Sequence, residues 1–179
     1  MRGGTANKNT ALASGKVILP DYVANATVGS TVSGIPYCWG GFNGYESIGN
    51  NQKYSEACKG NAVAGNMCTE TKVCVVGTVG LDCSGFASSV YGFAEKQGSG
   101  YFTTYGTLID KSEMRYMDIL VRSGHVMIYG GEFEYELSNG STEIRWTVYD
   151  ASTDTERTME RVVTQSYCRE YVARNPWND

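Results

Sequence analysis

The chain has 179 residues, of which 41% are hydrophobic and 19% are charged, and this composition excludes a disordered chain. Its formal net charge is −4 and it has no basic run that would neutralise phosphates, so a nucleic-acid partner is not expected. No apolar stretch approaches the roughly 20 residues that span a bilayer, so no membrane span is expected either.

Residues 1–34 are predicted to form an N-terminal extension that is poorly ordered at its start, because residues 1–15 are small and polar. A short helix is predicted around Tyr22 and Val23. No apolar segment follows Met1 that would serve as a signal peptide. If the protein is exported, we therefore expect its signal sequence to be absent from this chain.

Two aromatic residues and two glycines lie close together in the next segment, residues 35–41. Tyr37 and Trp39 would point to the same side of an extended chain, and Gly40-Gly41 allows a close backbone approach. Two interpretations remain open at this point. The aromatic side chains are either core residues or the wall of a cleft in which a phenol donates a hydrogen bond.

Cysteine is abundant for a chain of this size. The six cysteines are Cys38, Cys58, Cys68, Cys74, Cys83 and Cys168. Three of them fall in residues 42–80, a long segment without sustained periodicity, which predicts a loop joined by disulfides and an oxidising compartment. We expect Cys68 to pair with Cys74 or Cys58. A zinc site is the weaker interpretation because no C-x-x-C spacing occurs, and no cofactor is expected.

A capped helix is predicted to begin at Cys83. Asp82 is a good N-cap, and apolar residues at helical spacing extend the prediction to about Lys96, with Gly98 as the stop. The dipole of such a helix stabilises a thiolate in its first turn, which favours nucleophilic chemistry. The alternative is a buried structural cysteine, because this stretch contains no base.

Period-2 patterns follow the helix and predict strands at residues 118–121, 124–129 and 144–150, with one or two more in 157–173. Asn139-Gly140 predicts a hairpin turn. Because the helix comes before a run of antiparallel strands, the fold class is predicted to be α+β.

His125 is the only histidine, so it is the only imidazole that could serve Cys83 as a base. A structural histidine is the competing interpretation. Two carboxylates on the return strand have the parity needed to orient the imidazole. A strict two-residue turn places Asp154 opposite His125, whereas Asp150 requires a bulge at Gly130-Gly131.

Four motifs occur in order: Pro36-Tyr37-Cys38-Trp39-Gly40-Gly41, Leu81-Asp82-Cys83-Ser84-Gly85-Phe86, Gly124-His125-Val126-Met127-Ile128-Tyr129 and Val148-Tyr149-Asp150-Ala151. Together they resemble the motifs of the NlpC-type cell-wall cysteine peptidases. The resemblance implies a papain-like α+β core with the nucleophile at the N-terminus of a helix packed on an antiparallel sheet. It makes residues 35–179 the peptidase domain and residues 42–80 a Cys-rich insertion. One departure is Met117-Asp118, where the family pattern has Gly-Asp.

The resemblance also implies roles for individual residues. Cys83 would be the nucleophile, His125 the general base and Asp150 the third polar residue, which is the reason to prefer Asp150 over Asp154. Substrate-binding or oxyanion roles are expected for four further residues: Tyr37, Trp39, Asp82 and Ser84.

The function implied is that of a secreted or surface-exposed bacterial hydrolase acting on peptidoglycan peptide stems. The expected bond is the amide from D-γ-glutamate to the diamino acid, and the protein is expected to be a monomer. One alternative is an N-acetylmuramoyl-L-alanine amidase or a thiol acyltransferase on the same fold. Another is a non-catalytic wall-binding surface module whose cysteines are structural.

Overall fold

The computed structural model describes residues 15–27, 30–44, 53–60, 62–70 and 74–177. The chain forms two compact units, which are Met1–Gln97 with Ala151–Thr158 and Gly98–Asp150 with Met159–Asp179. The predicted extension over residues 1–34 belongs to the first unit, and residues 1–14, expected to be poorly ordered, lie outside the described residues. No helix in the described part of the chain has the length and apolar character needed to cross a membrane.

The first unit contains short elements joined by isolated bridges. Its helices and strands are α1 (Asp21–Ala24), α2 (Tyr54–Lys59), β1 (Val63–Ala64), β2 (Thr78–Val79) and α3 (Cys83–Val90), with β1 and β2 parallel. The α1 helix confirms the helix predicted around Tyr22, and it begins directly after Pro20. Residues 42–80 are therefore not a structureless loop where they are described, since they contain α2, β1 and β2.

The cysteines do not pair as predicted. No disulfide links any of the six, so neither predicted bond of Cys68, to Cys74 or to Cys58, is found. The segment around Cys68 is held by its backbone, since the Cys68 amide donates to Asn66 Oδ1 at 3.0 Å. Cys74 instead contacts Cys38, with the two sulfur atoms 3.9 Å apart. These two residues are 36 positions apart in the chain, and local sequence spacing carries no information about such a contact.

The α3 helix begins where predicted and ends earlier. Asp82 is its N-cap and accepts from the Gly85 amide at 2.7 Å. The helix ends at Val90 because Gly92 adopts φ +71°, and the Phe93 amide donates back to Ser88 O at 2.9 Å. This is a Schellman-type C-cap, so the predicted continuation to Lys96 is wrong. Gly98, predicted to be the stop, is instead the N-cap of the next helix.

The second unit is built on a six-stranded sheet. Its elements are α4 (Ser99–Phe102), β3 (Thr107–Ile109), a 3₁₀ turn (Lys111–Glu113), β4 (Ile119–Arg122), β5 (His125–Glu136), β6 (Thr142–Ala151), β7 (Thr158–Thr164) and β8 (Val172–Asn175). The strand order is β3-β8-β4-β5-β6-β7, and the sheet is mostly antiparallel. These elements confirm the α+β class, whereas the papain-like arrangement remains a prediction.

The core of the second unit lies on the central strands. Leu120, Met127 and Val148 are fully buried and belong to one cluster with Tyr171 and Ala173. All three residues that precede Arg122 in β4 are buried, so this strand is covered on both faces.

Met117, the departure from the family pattern, adopts φ +72° just before β4. A left-handed φ favours glycine, which is the residue the family has at this place. The Met117 amide donates to Tyr129 O at 2.8 Å, and the Tyr129 amide donates to Asp118 O at 2.7 Å. These two bonds join the turn to β5 and hold the strained residue in place.

The β5–β6 hairpin differs from the strict two-residue turn. The Leu137 amide donates to Ser141 O, so the loop has three residues, and Gly140 takes its left-handed position at φ +80°. A bulge between Tyr129 and Gly131 then shifts the register again. The bulge that Asp150 requires at the glycine pair is therefore present, and it decides which residues of β6 lie near His125.

Gly85 offers a test of the close approach around α3. A Cβ atom added at Gly85 would collide with Gly41 O. We expect Gly85→Ala to destabilise the protein by about 2 kcal/mol, because this contact is between backbones and has no room to relax. Thermal unfolding should show a midpoint lowered by about 5 °C. Gly100→Ala is the matched control because its Cβ would meet open space. Equal midpoints for the two variants would contradict the described packing.

Candidate active site

The Asp82 carboxylate organises the start of α3. Its Oδ1 accepts from the Gly85 amide at 2.7 Å and from Ser84 Oγ at 3.0 Å. Its Oδ2 accepts from the Gly40 amide at 2.9 Å and lies 3.1 Å from Lys96 Nζ. A carboxylate offers about four acceptor positions, and four donors occupy them here. The predicted capping role is confirmed, and the predicted substrate contact of Asp82 remains a prediction.

Cys83 is the first helical residue after this cap and is 8% exposed. At that position the helix dipole and the first-turn amides favour negative charge on a nearby oxyanion. Ser84 is also buried, and its hydroxyl accepts from Lys96 Nζ at 3.0 Å while donating to Asp82. The helix turn that contains Cys83 is therefore held in place by hydrogen bonds among charged and polar groups.

The aromatic segment is held mainly by its backbone. Tyr37 is buried, its amide donates to Glu156 O at 2.7 Å, and its carbonyl accepts from the Asn66 amide at 2.8 Å. Trp39 lies in a turn and is half-buried, so the extended geometry that would have put both rings on one side is not formed. The close approach expected at the glycines is confirmed, since a Cβ at Gly40 would lie 2.6 Å from Cys74 N.

His125 and Asp150 meet in the second unit. His125 Nε2 lies 3.0 Å from Asp150 Oδ1, and Arg161 Nη1 donates to Asp150 Oδ2 at 2.7 Å. The Asp150 side chain is fully buried, whereas the His125 side chain is 14% exposed. Burial would raise the pKa of the Asp150 carboxyl, but His125 and Arg161 together lower it below its usual range. Asp150 is therefore a buried carboxylate held by the Arg161 guanidinium and the His125 imidazole.

The register explains why Asp150 makes this contact. Ile128 pairs with Tyr149, and continuing this register places Asp150 opposite Met127. Met127 and His125 lie on the same face of β5, so Asp150 is a diagonal neighbour of His125. Asp154, favoured by a strict turn, lies exposed in the turn after β6.

The sequence-predicted residues thus fall into two groups. Cys83 and its supports belong to the first unit, while His125 and Asp150 belong to the second. Comparisons with protein-family models, with curated proteins and with solved structures find no match. The resemblance to the NlpC-type peptidases therefore rests on the four motifs, and the joint action of the two groups remains a prediction.

Two charged residues of these groups were missed by sequence reasoning. Arg161 lies on β7 and faces Asp150 across the β6–β7 pair, and only the hairpin register of that pair would have indicated it. Lys96 contacts Asp82 from the irregular segment after α3. Because α3 was predicted to continue to Lys96, a contact of Lys96 with the N-cap of the same helix was not expected.

Further aromatic contacts surround His125. The Tyr171 ring lies edge-on to the imidazole, with 6.2 Å between ring centroids, and the Arg122 guanidinium lies 5.2 Å from the centre of the Tyr171 ring. In the described residues, no group of three or more His, Cys, Asp or Glu side chains is arranged to hold a metal ion.

Because Asp150 is charged in the folded protein, we expect its contribution to the free energy of unfolding to depend on pH. Because the pKa of Asp150 is lowered on folding, its stabilising contribution is present above about pH 4 and is lost as the pH falls through the folded-state value. Asp150→Asn leaves Arg161 without its counter-charge and should cost about 2 kcal/mol at neutral pH. Urea unfolding measured at about pH 5 and about pH 3.5, a range in which histidine ordinarily stays charged, should show this difference shrinking as the pH falls.

The matched control for this measurement is Asp154→Asn, which removes an exposed carboxylate. It should leave the free energy of unfolding almost unchanged at both pH values. A difference between wild type and Asp150→Asn that stays constant across this range would contradict an ionised Asp150.

Proposed function

We propose that the protein is a cysteine-type peptidase that hydrolyses bacterial cell-wall peptidoglycan. It cuts the peptide-stem amide between D-γ-glutamate and the diamino acid. The observation that carries the proposal is the contact of the single histidine, His125, with the buried carboxylate of Asp150. Cys83, on its capped helix, supplies the nucleophile.

The His125–Asp150 contact supports a catalytic role more than a structural one. A buried ion pair adds little stability over an apolar pair, because both charges lose their hydration. A fully buried Asp150 that binds a partly exposed imidazole is the arrangement found around general bases. The carboxylate orients the ring, favours the tautomer with a proton on Nε2, and stabilises the imidazolium that forms when Nδ1 takes a second proton.

In the proposed reaction, His125 Nδ1 accepts the Cys83 thiol proton and the thiolate attacks the amide carbonyl carbon. The Cys83 backbone amide, at the start of α3, donates to the resulting oxyanion. The imidazolium then gives its proton to the leaving amine as the C–N bond breaks, and a thioester remains. Water, deprotonated by His125, attacks the thioester and releases the D-γ-glutamyl carboxylate and the free thiol.

Tyr37, Trp39 and Ser84 complete the proposed site as substrate-binding or oxyanion residues. In this proposal the partners are peptidoglycan peptide stems, the protein acts as a monomer, and it works outside the bacterial cell or on its surface. The four ordered motifs support this placement, since the resembling family acts on the cell wall.

Digestion of purified peptidoglycan tests the proposal. Wild type should release fragments with a new free amine on the diamino acid, detected by mass spectrometry. Cys83→Ala should lose activity by at least about a thousandfold, because nucleophile and base act as a unit. Cys68→Ala, which removes another buried thiol of the same unit, should keep it.

Three outcomes of this digestion would overturn parts of the proposal. Activity retained by Cys83→Ala would exclude Cys83 as the nucleophile. A freed lactyl-muramic end would identify an amidase of the sugar–peptide link instead. Unchanged peptidoglycan with folded wild-type protein would favour a wall-binding module.

A further inference from the structure

Two thiols of the first unit, Cys38 and Cys74, have no part in the proposed reaction and lie close together. Cys38 Sγ and Cys74 Sγ are 3.9 Å apart, and each lies close to the Thr78 hydroxyl, at 3.3 Å and 3.4 Å. Thr78 donates its own proton to Val75 O at 2.7 Å, so its oxygen is available as an acceptor for a thiol. Among the six cysteines, these two have their sulfur atoms in mutual contact.

The backbone around this pair is closely packed. A Cβ at Gly41 or at Gly80 would lie within 2.9 Å of Cys38 Cβ. Gly40 packs against the backbone of Cys74 in the same way, with 3.2 Å from its added Cβ to Cys74 Cβ. The two cysteines are thus held by neighbouring backbone segments, and a shift of about 2 Å between the sulfur atoms would reach the disulfide bond length.

We propose that Cys38 and Cys74 form a dithiol–disulfide site that joins the aromatic segment of residues 36–41 to the segment of residues 74–79. The partner is a small disulfide or a thiol–disulfide oxidoreductase, which supplies the oxidising equivalents. The site goes beyond the proposed hydrolase and does not depend on it, because neither cysteine takes part in peptide cleavage.

The two thiols differ in a way that assigns their roles. Cys38 is fully buried, whereas Cys74 is half-buried. The interaction with the Cys38 thiol lowers the pKa of Cys74 to about 6, although burial and nearby Asp82 oppose this and Lys96 supports it. The same interaction, together with burial, raises the pKa of Cys38. Cys74 is therefore the attacking thiolate and Cys38 the resolving thiol.

The exchange balances in two steps. The Cys74 thiolate attacks one sulfur of the donor disulfide, which breaks the donor S–S bond and expels one thiolate. Cys38 then loses its proton to solvent and attacks the Cys74 sulfur of the mixed disulfide, which expels the second donor thiolate. The protein dithiol is oxidised by two electrons, and the donor disulfide is reduced to two thiols.

Oxidised glutathione is the probe for the test, used on the full chain near neutral pH. After blocking of free thiols, digestion is done with trypsin and then with a protease that cuts before Asp82. The second cut is needed because Cys74 and Cys83 otherwise share one tryptic peptide. We expect a linked pair of peptides that contains Cys38 and Cys74 and is lighter than the two reduced peptides by two hydrogen atoms.

The variants separate the two steps. Cys38→Ser should accumulate glutathione on Cys74, because the resolving thiol is missing. Cys74→Ser should react at Cys38 at least about tenfold more slowly than wild type reacts at Cys74, because Cys38 is buried. Glutathione that stays on Cys74 in wild type would overturn the inference. A link from Cys74 to Cys58, Cys68 or Cys83 would do the same.

Discussion

The bonds of the Asp82 carboxylate are the constraint on which the proposed nucleophile depends. One oxygen caps the helix that begins at Cys83, and the other holds the Gly40 amide and Lys96. The same side chain therefore joins the helix start to the aromatic segment that contains Tyr37. Gly85 makes the arrangement possible, because any larger residue would collide with Gly41 O. Asp82 and Gly85, which flank Cys83 and Ser84, thus mainly hold the backbone of this region in place.

In the second unit, His125 is likewise held by a buried carboxylate. Asp150 is buried between His125 and Arg161, and its interactions with these two side chains lower its pKa against the cost of burial. Each proposed reacting residue is thus associated with a buried carboxylate that also contacts a basic side chain, Lys96 at Asp82 and Arg161 at Asp150. In the proposed function, Asp82 positions the thiol and its oxyanion amide, while Asp150 positions the base.

Sequence reasoning was most successful where the determining contacts are local. The Asp82 cap and the hairpin follow from residues a few positions apart, and both are confirmed. The bulge that Asp150 requires is also found at the glycine pair. The end of α3 was missed because Gly92, in a Schellman-type cap, outweighed the apolar spacing that continues to Ala94. No periodic pattern in the sequence predicts the contact of Arg161 with Asp150 or that of Cys38 with Cys74. Both contacts were found only in the structure.

The central claim is that the Cys83 thiol and the His125 imidazole react together. The most direct measurement is cross-linking with a short bifunctional alkylating agent, a ketone with a bromomethyl group on each side. Alkylation of Cys83 should be followed by capture of His125, and peptide mass spectrometry should find these two residues joined by one three-carbon bridge. His125→Ala should give Cys83 alkylated at one end only. Wild-type protein in which Cys83 is alkylated but never joined to His125 would contradict the claim.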